Sequence, residues 1–478
     1  MNERVQARRL LRLGVLNRRL VVALLGLGMA GAAIFVATTA DARQDLGQER
    51  DRVIAERVKT DFGVFKGVAQ SSTVDVTAAT ALADPLSLVT VARGLKATVV
   101  SAGTAAVNID MMALWPPAHP QYLLACNEQG TAQPGVQRIS LATGATETIL
   151  TGTTACDPLH VTPWGTVIFG EETTTGHVYE MIDPVSITNA TLDRVTGVAS
   201  TDKIVQRPAL GSVAFEGIAT LPNGVTYYGD ELSPSNGAIG GSYYKFVPTH
   251  PWVGGALVSL ADSPYAAGTI AVLKVGQGSN TGQGMNQGVG SWVTITPDPT
   301  TGSLRPAATA TKATGFYRPE DLTLDLTALA AGNVRACGNN TGREEARYYG
   351  ETICFTDGTI AEATAGTATP TTQLLVVGTP EFAMPDNLDQ QPGRGNWIIH
   401  EDGDTSFDRP HNNDLWSCAA DGADDDLLSD GCLRIGTLND LTAEWTGGLF
   451  DPSGDHFYVS IQHNKSGFGT IIDITGWR

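Results

Sequence analysis

The sequence predicts an all-β fold, a β-propeller with irregular loop insertions, on three observations. From Asp61 onward, short runs rich in Val, Ile, Thr, Tyr and Phe alternate with Gly, Pro, Asn and Asp turn clusters, and no long stretch sustains helical periodicity. Three turn glycines each lead through five strand-like residues to two adjacent carboxylates: Gly165 to Glu171-Glu172, Gly224 to Asp230-Glu231, and Gly395 to Glu401-Asp402. These hairpins are spread over about 300 residues with their acidic ends on one side, and only radially arranged blades bring such distant, equivalent ends to one channel. A sandwich would scatter them over two sheets.

Chance alone would supply roughly 0.6 glycines with this spacing to an acid pair. Four occur. The fourth, Gly338 to Glu344-Glu345, has a polar spacer without strand character and serves as a control. The three hairpins also open on a ligand-type residue before the turn: Cys156-Asp157, Glu216, and Asp386-Asn387. In an antiparallel hairpin the first residue of one strand lies beside the last of the other, so opening and closing acids meet at the same end. A further unit runs from Glu444 through Gly454 to Ser460, Gln462 and His463, with neutral groups in place of the acid pair. Tyr317-Arg318-Pro319-Glu320-Asp321 reads as the opening half of another.

Taken in order, the chain begins with six arginines and an uncharged run from Leu20 to Ala40 ending at Ala40-Asp41-Ala42. Residues 1–42 read as an export signal, with a loose twin-arginine resemblance at Arg18-Arg19, or as a single membrane anchor if uncleaved. The expected location is the periplasm, the cell surface or the medium. Residues 43–60 are charge-dense and predict a spacer or short helix, and residues 61–478 form the propeller. The low-complexity stretches Gly276–Ser291 and Ala361–Thr372 read as surface loops, because β-type sequence resumes at once on either side.

Residues 1–42 hold six Arg and two acids, Glu3 and Asp41, so the remainder carries 25 basic and 48 acidic residues, a net charge of −23. That balance excludes nucleic acid as a partner and leaves the membrane to the N-terminal segment alone. It also repels anionic substrates unless bound cations reverse the local field. Calcium prefers six to eight oxygen ligands. The candidates are Glu171, Glu172, Asp230, Glu231, Glu401 and Asp402, with a carbonyl from Asn387. Strand side chains alternate faces, so one member of each acid pair is expected to face the channel. Of the six cysteines, Cys337 with Cys354 and Cys418 with Cys432 close short loops and are the expected disulfides. Cys126 and Cys156 form a third disulfide or two free thiols.

The residues resemble a known family, the PhoX-type alkaline phosphatases. The resemblance rests on Cys156 followed by Thr162-Pro-Trp-Gly-Thr166 and Glu171-Glu172, then Glu216, Arg318-Pro319-Glu320, Pro385-Asp-Asn-Leu388, Glu444-Trp-Thr-Gly447 and Ser460-Ile-Gln-His463. It implies a six-bladed propeller with a mixed iron and calcium cluster at one mouth of the channel, hydrolysing small phosphate monoesters. By the same resemblance Cys156 and Glu216 are iron ligands, Glu171 or Glu172 a calcium ligand, Arg318 a phosphate contact and Glu320 a metal bridge. Asp230, Asp386, Glu401 and Asp402 complete the expected ligands. Thiolate with carboxylate suits a redox-capable transition metal, and the Arg fork matches phosphate oxygens. The sequence departs from the family pattern at Gly170, where a second cysteine is expected. With Cys156 in a disulfide, His160 becomes the candidate imidazole ligand, while His400 and His463 read as packing residues. Two other functions compete: a calcium-stabilised binding propeller without catalysis, and a calcium-dependent esterase or lactonase.

Overall fold

A computed structural model of the chain describes residues 55–235, 238–255, 257–276, 283–403, 411–420 and 426–478. The expected export segment lies outside the described residues. Residues 55–62 are helical. Among the described residues no helix is long and apolar enough to cross a membrane.

Within the unit Val58–Arg478, six strands stand side by side in a ring: β1 (Ile109–Trp115), β2 (Cys156–Val161), β3 (Phe215–Thr220), β4 (Pro319–Leu324), β5 (Pro385–Gln390) and β6 (Glu444–Phe450). Each packs against the next, and β6 returns to β1. Gly447 of β6, at φ +58, makes that last approach: a Cβ there would lie 2.1 Å from the carbonyl oxygen of Asp110. From each inner strand an antiparallel meander runs outward. After β2 come Val167–Glu171 and Val178–Met181, and after β5 come Trp397–Glu401, Asp414–Cys418 and Cys432–Leu438. The group of β6 is completed from the far end of the chain, because its outermost strand, Lys96–Ala105, pairs antiparallel with Gly469–Thr475. This is propeller architecture.

Apolar residues from consecutive groups fill the layers between them. Leu124 and Val136 meet Leu159 and Phe169 between the first and second groups. Leu322 and Phe355 meet Tyr227 and Leu273 between the third and fourth, and Ile398 and Leu415 meet Trp445 and Ile461 between the fifth and sixth. Covered on both faces, a strand such as Val167–Glu171 is buried at every position, which is why it reads as a continuous apolar run rather than an alternating one. The turn glycines Gly165, Gly224 and Gly395 adopt φ of +79°, +93° and +81°, a region that costs glycine nothing. The control Gly338 lies inside the strand Asn333–Asn340 instead.

Two expected loops contain regular structure. Gly288–Ile295, overlapping the first low-complexity stretch, is a strand beside Gly268–Val275. In the second, Ile360–Ala365 is a helix whose N-terminus is closed by a reciprocal Thr359 and Glu362 capping box.

Candidate metal and phosphate site

One irregularity recurs around the ring and builds the site. In β1 to β5 the pairing with the following strand slips immediately after its first residue pair, between Ile109 and Met112, Cys156 and Leu159, Phe215 and Ile218, Pro319 and Leu322, and Pro385 and Leu388. Such bulges re-aim side chains. The second residue of all five strands is an acid: Asp110, Asp157, Glu216, Glu320 and Asp386. In β6 the slip comes later, between Thr446 and Leu449, and Glu444 opens the strand. All six acids line one cavity of about 160 Å³ at this mouth of the ring.

A second set comes from the neighbouring strand, one residue beyond the first pair. Those pairs are Ile109 with Asn127, Cys156 with Glu171, Phe215 with Asp230, Pro319 with Asn340, Pro385 with Glu401 and Glu444 with Gln462. The residues that follow are therefore Glu128, Glu172, Glu231, Thr341, Asp402 and His463. Glu128, Glu172, Asp402 and His463 line the cavity. Thr341 places its hydroxyl 2.9 Å from Glu320 Oε1, and Glu231 accepts a 2.7 Å hydrogen bond from Arg318 Nε.

The ligand atoms form three linked trios, each within 4.8 Å: Asp157, Glu172 and Glu216; Glu216, Glu320 and Asp386; and Asp386, Asp402 and Glu444. Burial, reinforced by neighbouring carboxylates, pushes Asp110, Glu172, Glu216 and Asp386 well above the ordinary carboxylate range and Asp157 up to about 8. Burial also raises Glu320, against the opposing pull of Arg318. Asp110 Oδ1 and Asp157 Oδ1 are buried without a hydrogen-bond donor. Oxygens so crowded and unpaired call for cations. Among the described residues the only Arg or Lys lining the cavity is Arg318. It sits at φ +57, with Nη2 3.2 Å from Glu320 Oε1 and 3.8 Å from Asp402 Oδ2. At the rim, His463 Nε2 lies 3.0 Å from Glu444 Oε1 and Gln462 Nε2 donates to Glu128 Oε2 at 2.8 Å.

Of the expected site residues, the fold brings Glu172, Glu216, Arg318, Glu320, Asp386 and Asp402 together. Glu171 and Asp230, expected as ligands, require correction, and Glu401 belongs to a separate candidate group rather than to this cavity. Each is the last residue of its strand and faces away from the cavity into other partners, since neighbours on a strand point to opposite faces. Glu171 receives Arg194 Nε at 2.7 Å and Nη2 at 3.0 Å. Asp230 receives Arg305 at 2.6 and 2.9 Å. Glu401 receives Trp416 Nε1 and the backbone N–H groups of Ala383 and Asp414. With Asp414 and His411, Glu401 belongs to a separate cluster, none of whose members lines the cavity.

Cys156 also requires correction as an iron ligand. It is bonded to Cys126, and the bulge turns the carboxylate of Asp157, not the sulfur, into the cavity. The pairs Cys337–Cys354 and Cys418–Cys432 are disulfides as well. His160 is not an imidazole ligand here: its Nε2 accepts from the Ile218 N–H at 3.4 Å, burial pushes it down to about 4, and it lines a different cavity beside Met111 and Leu388. His400 is buried, with Nδ1 3.2 Å from the Trp445 carbonyl oxygen.

An iron–thiolate centre therefore does not fit these residues. The donors are carboxylate oxygens with one imidazole at the rim, a set that suits a hard cation such as calcium.

Residues 129–465 match the family model for Alkaline phosphatase PhoX. Among solved structures, Pseudomonas fluorescens PhoX in complex with vanadate, a transition state analogue, superposes with a TM-score of 0.61 at 17% identity over 85% of this chain and 97% of that one. A PQQ-bound aldose sugar dehydrogenase from Streptomyces coelicolor is a weaker match, with a TM-score of 0.41 at 12% identity over 80% of this chain and 98% of that one. No curated protein matches the chain. With more than half of its residues under the family model, the chain belongs to the PhoX alkaline phosphatase family.

Proposed function

We propose that this protein is an exported, metal-dependent phosphatase that hydrolyses small phosphate monoesters in the acidic cavity, with calcium held by Asp157, Glu172, Glu216, Glu320, Asp386, Asp402 and Glu444. The observation that carries this reading is Arg318, a guanidinium set among carboxylates at the mouth of a cation-demanding cavity and 25% exposed. A neutral ester would give that side chain nothing to bind, whereas its planar fork matches two phosphoryl oxygens. Family membership supports the reaction class, and the arginine-rich start with its apolar run supports export.

Calcium bound at these carboxylates would neutralise the phosphoryl oxygens and favour attack by water at phosphorus. The chain's own residues bind and orient. Arg318 would hold the phosphoryl group at the mouth, in a contact that strengthens as charge redistributes in the transition state. The Thr341 hydroxyl fixes Glu320. Glu444 would orient the His463 ring at the rim.

The test assays purified protein on an aryl phosphate and an aryl acetate side by side at alkaline pH, with and without calcium. Calcium-dependent turnover of the phosphate alone is expected. Hydrolysis of the acetate alone would move the assignment to the esterase or lactonase class. No turnover of either with calcium bound would leave a binding propeller.

A further inference from the structure

We infer that Glu231 is a positioning residue for Arg318, fixing the edge of the guanidinium offered to the phosphoryl group of a monoester; this rests on the phosphatase reading above. Glu231 does not line the cavity. Its backbone is held on both sides: its N–H donates to the Ala214 carbonyl at 3.0 Å, and its own carbonyl accepts from Arg305 Nη2 at 3.2 Å. The preceding Asp230 grips the same Arg305 through both carboxylate oxygens. The acid that faces away from the cavity thus anchors the turn from which its neighbour reaches inward.

From that anchor, Glu231 Oε1 accepts the Nε–H of Arg318 at 2.7 Å. A guanidinium offers donors along two edges, and this bond occupies the Nε edge. Nη2 is thereby directed toward Glu320 and Asp402 over the cavity. The Arg318 backbone is held at both ends, its carbonyl receiving the Thr341 N–H at 3.0 Å and its own N–H donating to the Leu232 carbonyl at 3.4 Å. Without Glu231 the long side chain regains rotamer freedom, which must be given up again on binding phosphate.

Four variants test this: Glu231→Ala, Glu231→Gln, Arg318→Ala, and the double variant Glu231→Ala with Arg318→Ala. Each is measured for kcat and KM on an aryl phosphate, affinity for orthophosphate by calorimetry, calcium content and melting temperature. Losing one charge-assisted hydrogen bond to the arginine predicts that Glu231→Ala loses roughly tenfold in kcat/KM and in orthophosphate affinity. Glu231→Gln keeps an acceptor oxygen and should stay within about threefold of the parent. The double variant should be no worse than Arg318→Ala, because the two act as a unit. Calcium content and melting temperature should not move.

Lower calcium content in Glu231→Ala would make Glu231 a ligand and overturn the inference. So would multiplicative losses in the double variant, or parent-like orthophosphate affinity in Glu231→Ala. If the parent turns over no phosphate ester, the phosphatase reading fails, and the orthophosphate measurements still decide whether Glu231 positions Arg318.

Discussion

Removing the cations should make stability fall as pH rises, opposite to a fold held by ionised carboxylates. The groups concerned are Asp110, Asp157, Glu172, Glu216, Glu320 and Asp386, all raised first by burial. A carboxyl whose folded value lies above its unfolded one contributes stability that is fully present below the unfolded value and lost as pH climbs through the folded one. For Asp157, raised from 3.8 to about 8, the window is pH 4 to 8, and at 1.36 kcal/mol per unit the ceiling is about 6 kcal/mol. Relaxation and water entry would reduce that figure. At about 2.1 cal/mol/K per residue, a unit of roughly 420 residues has an unfolding entropy near 0.9 kcal/mol/K, so Asp157 alone corresponds to a drop of up to about 6 °C. Carboxyls held below the ordinary range at the surface, such as Asp75, Asp183 and Asp298, act at the acid end and leave the rest of this window untouched. The assay is scanning calorimetry of chelated and calcium-loaded protein at pH 5, 7 and 9, with metal content measured in each sample. Calcium at 100 times its dissociation constant should restore about 2.7 kcal/mol per site, with the largest gain at pH 9. Because the buried His160 and His400, held below their ordinary value of 6.5, gain stability up to that value, a melting temperature of the stripped protein that stays level or rises from pH 7 to pH 9 would refute the reasoning.

Three further outcomes follow from the same geometry. Arg318→Ala should cost roughly 10²-fold in kcat/KM on an aryl phosphate with the fold intact, whereas Glu320→Gln should lower activity and bound calcium together, as metal analysis would reveal. Replacing Cys126 and Cys156 together by Ser opens a cross-link spanning 30 residues and should cost about 3–4 kcal/mol of stability by chain entropy. Calcium content should hold, and neither form should show a visible thiolate-to-metal absorption band; such a band in the parent would reinstate the cysteine as a ligand.

The hairpins were legible because glycine at a left-handed turn and the acids at the strand ends leave a fixed spacing in the sequence. Which acid faces the cavity was not. Adjacent strand residues differ by one step of register, so Glu171 and Glu172, or Cys156 and Asp157, are interchangeable in spacing and opposite in direction. The bulges that decide the matter leave no mark of their own in composition. Asp110 and Glu128 escaped notice because their hairpin turns through Pro116 to Pro120 without a glycine, and because Asn127-Glu128 is not a pair of acids. Glu444 and His463 were visible as the two ends of a unit, but the neutral Gln462-His463 in place of an acid pair kept Glu444 out of the expected ligands. The pairing of Lys96–Ala105 with Gly469–Thr475 joins residues too far apart for any local pattern to announce it.

That seam gives the protein an order of assembly. A ribosome releases Lys96–Ala105 long before its partner Gly469–Thr475, and the strand must then wait as an unmatched edge while the intervening strands are made. Its composition suits the wait: with Lys96, Thr98, Ser101 and Thr104, and only Ser101 and Ala105 buried even in the finished fold, it offers little to a wrong partner. Glu444 and His463 belong to the group that this strand completes. In a chain lacking Gly469–Thr475, Lys96–Ala105 has no neighbour to pair with, and the group that carries Glu444 and His463 loses its two outer strands.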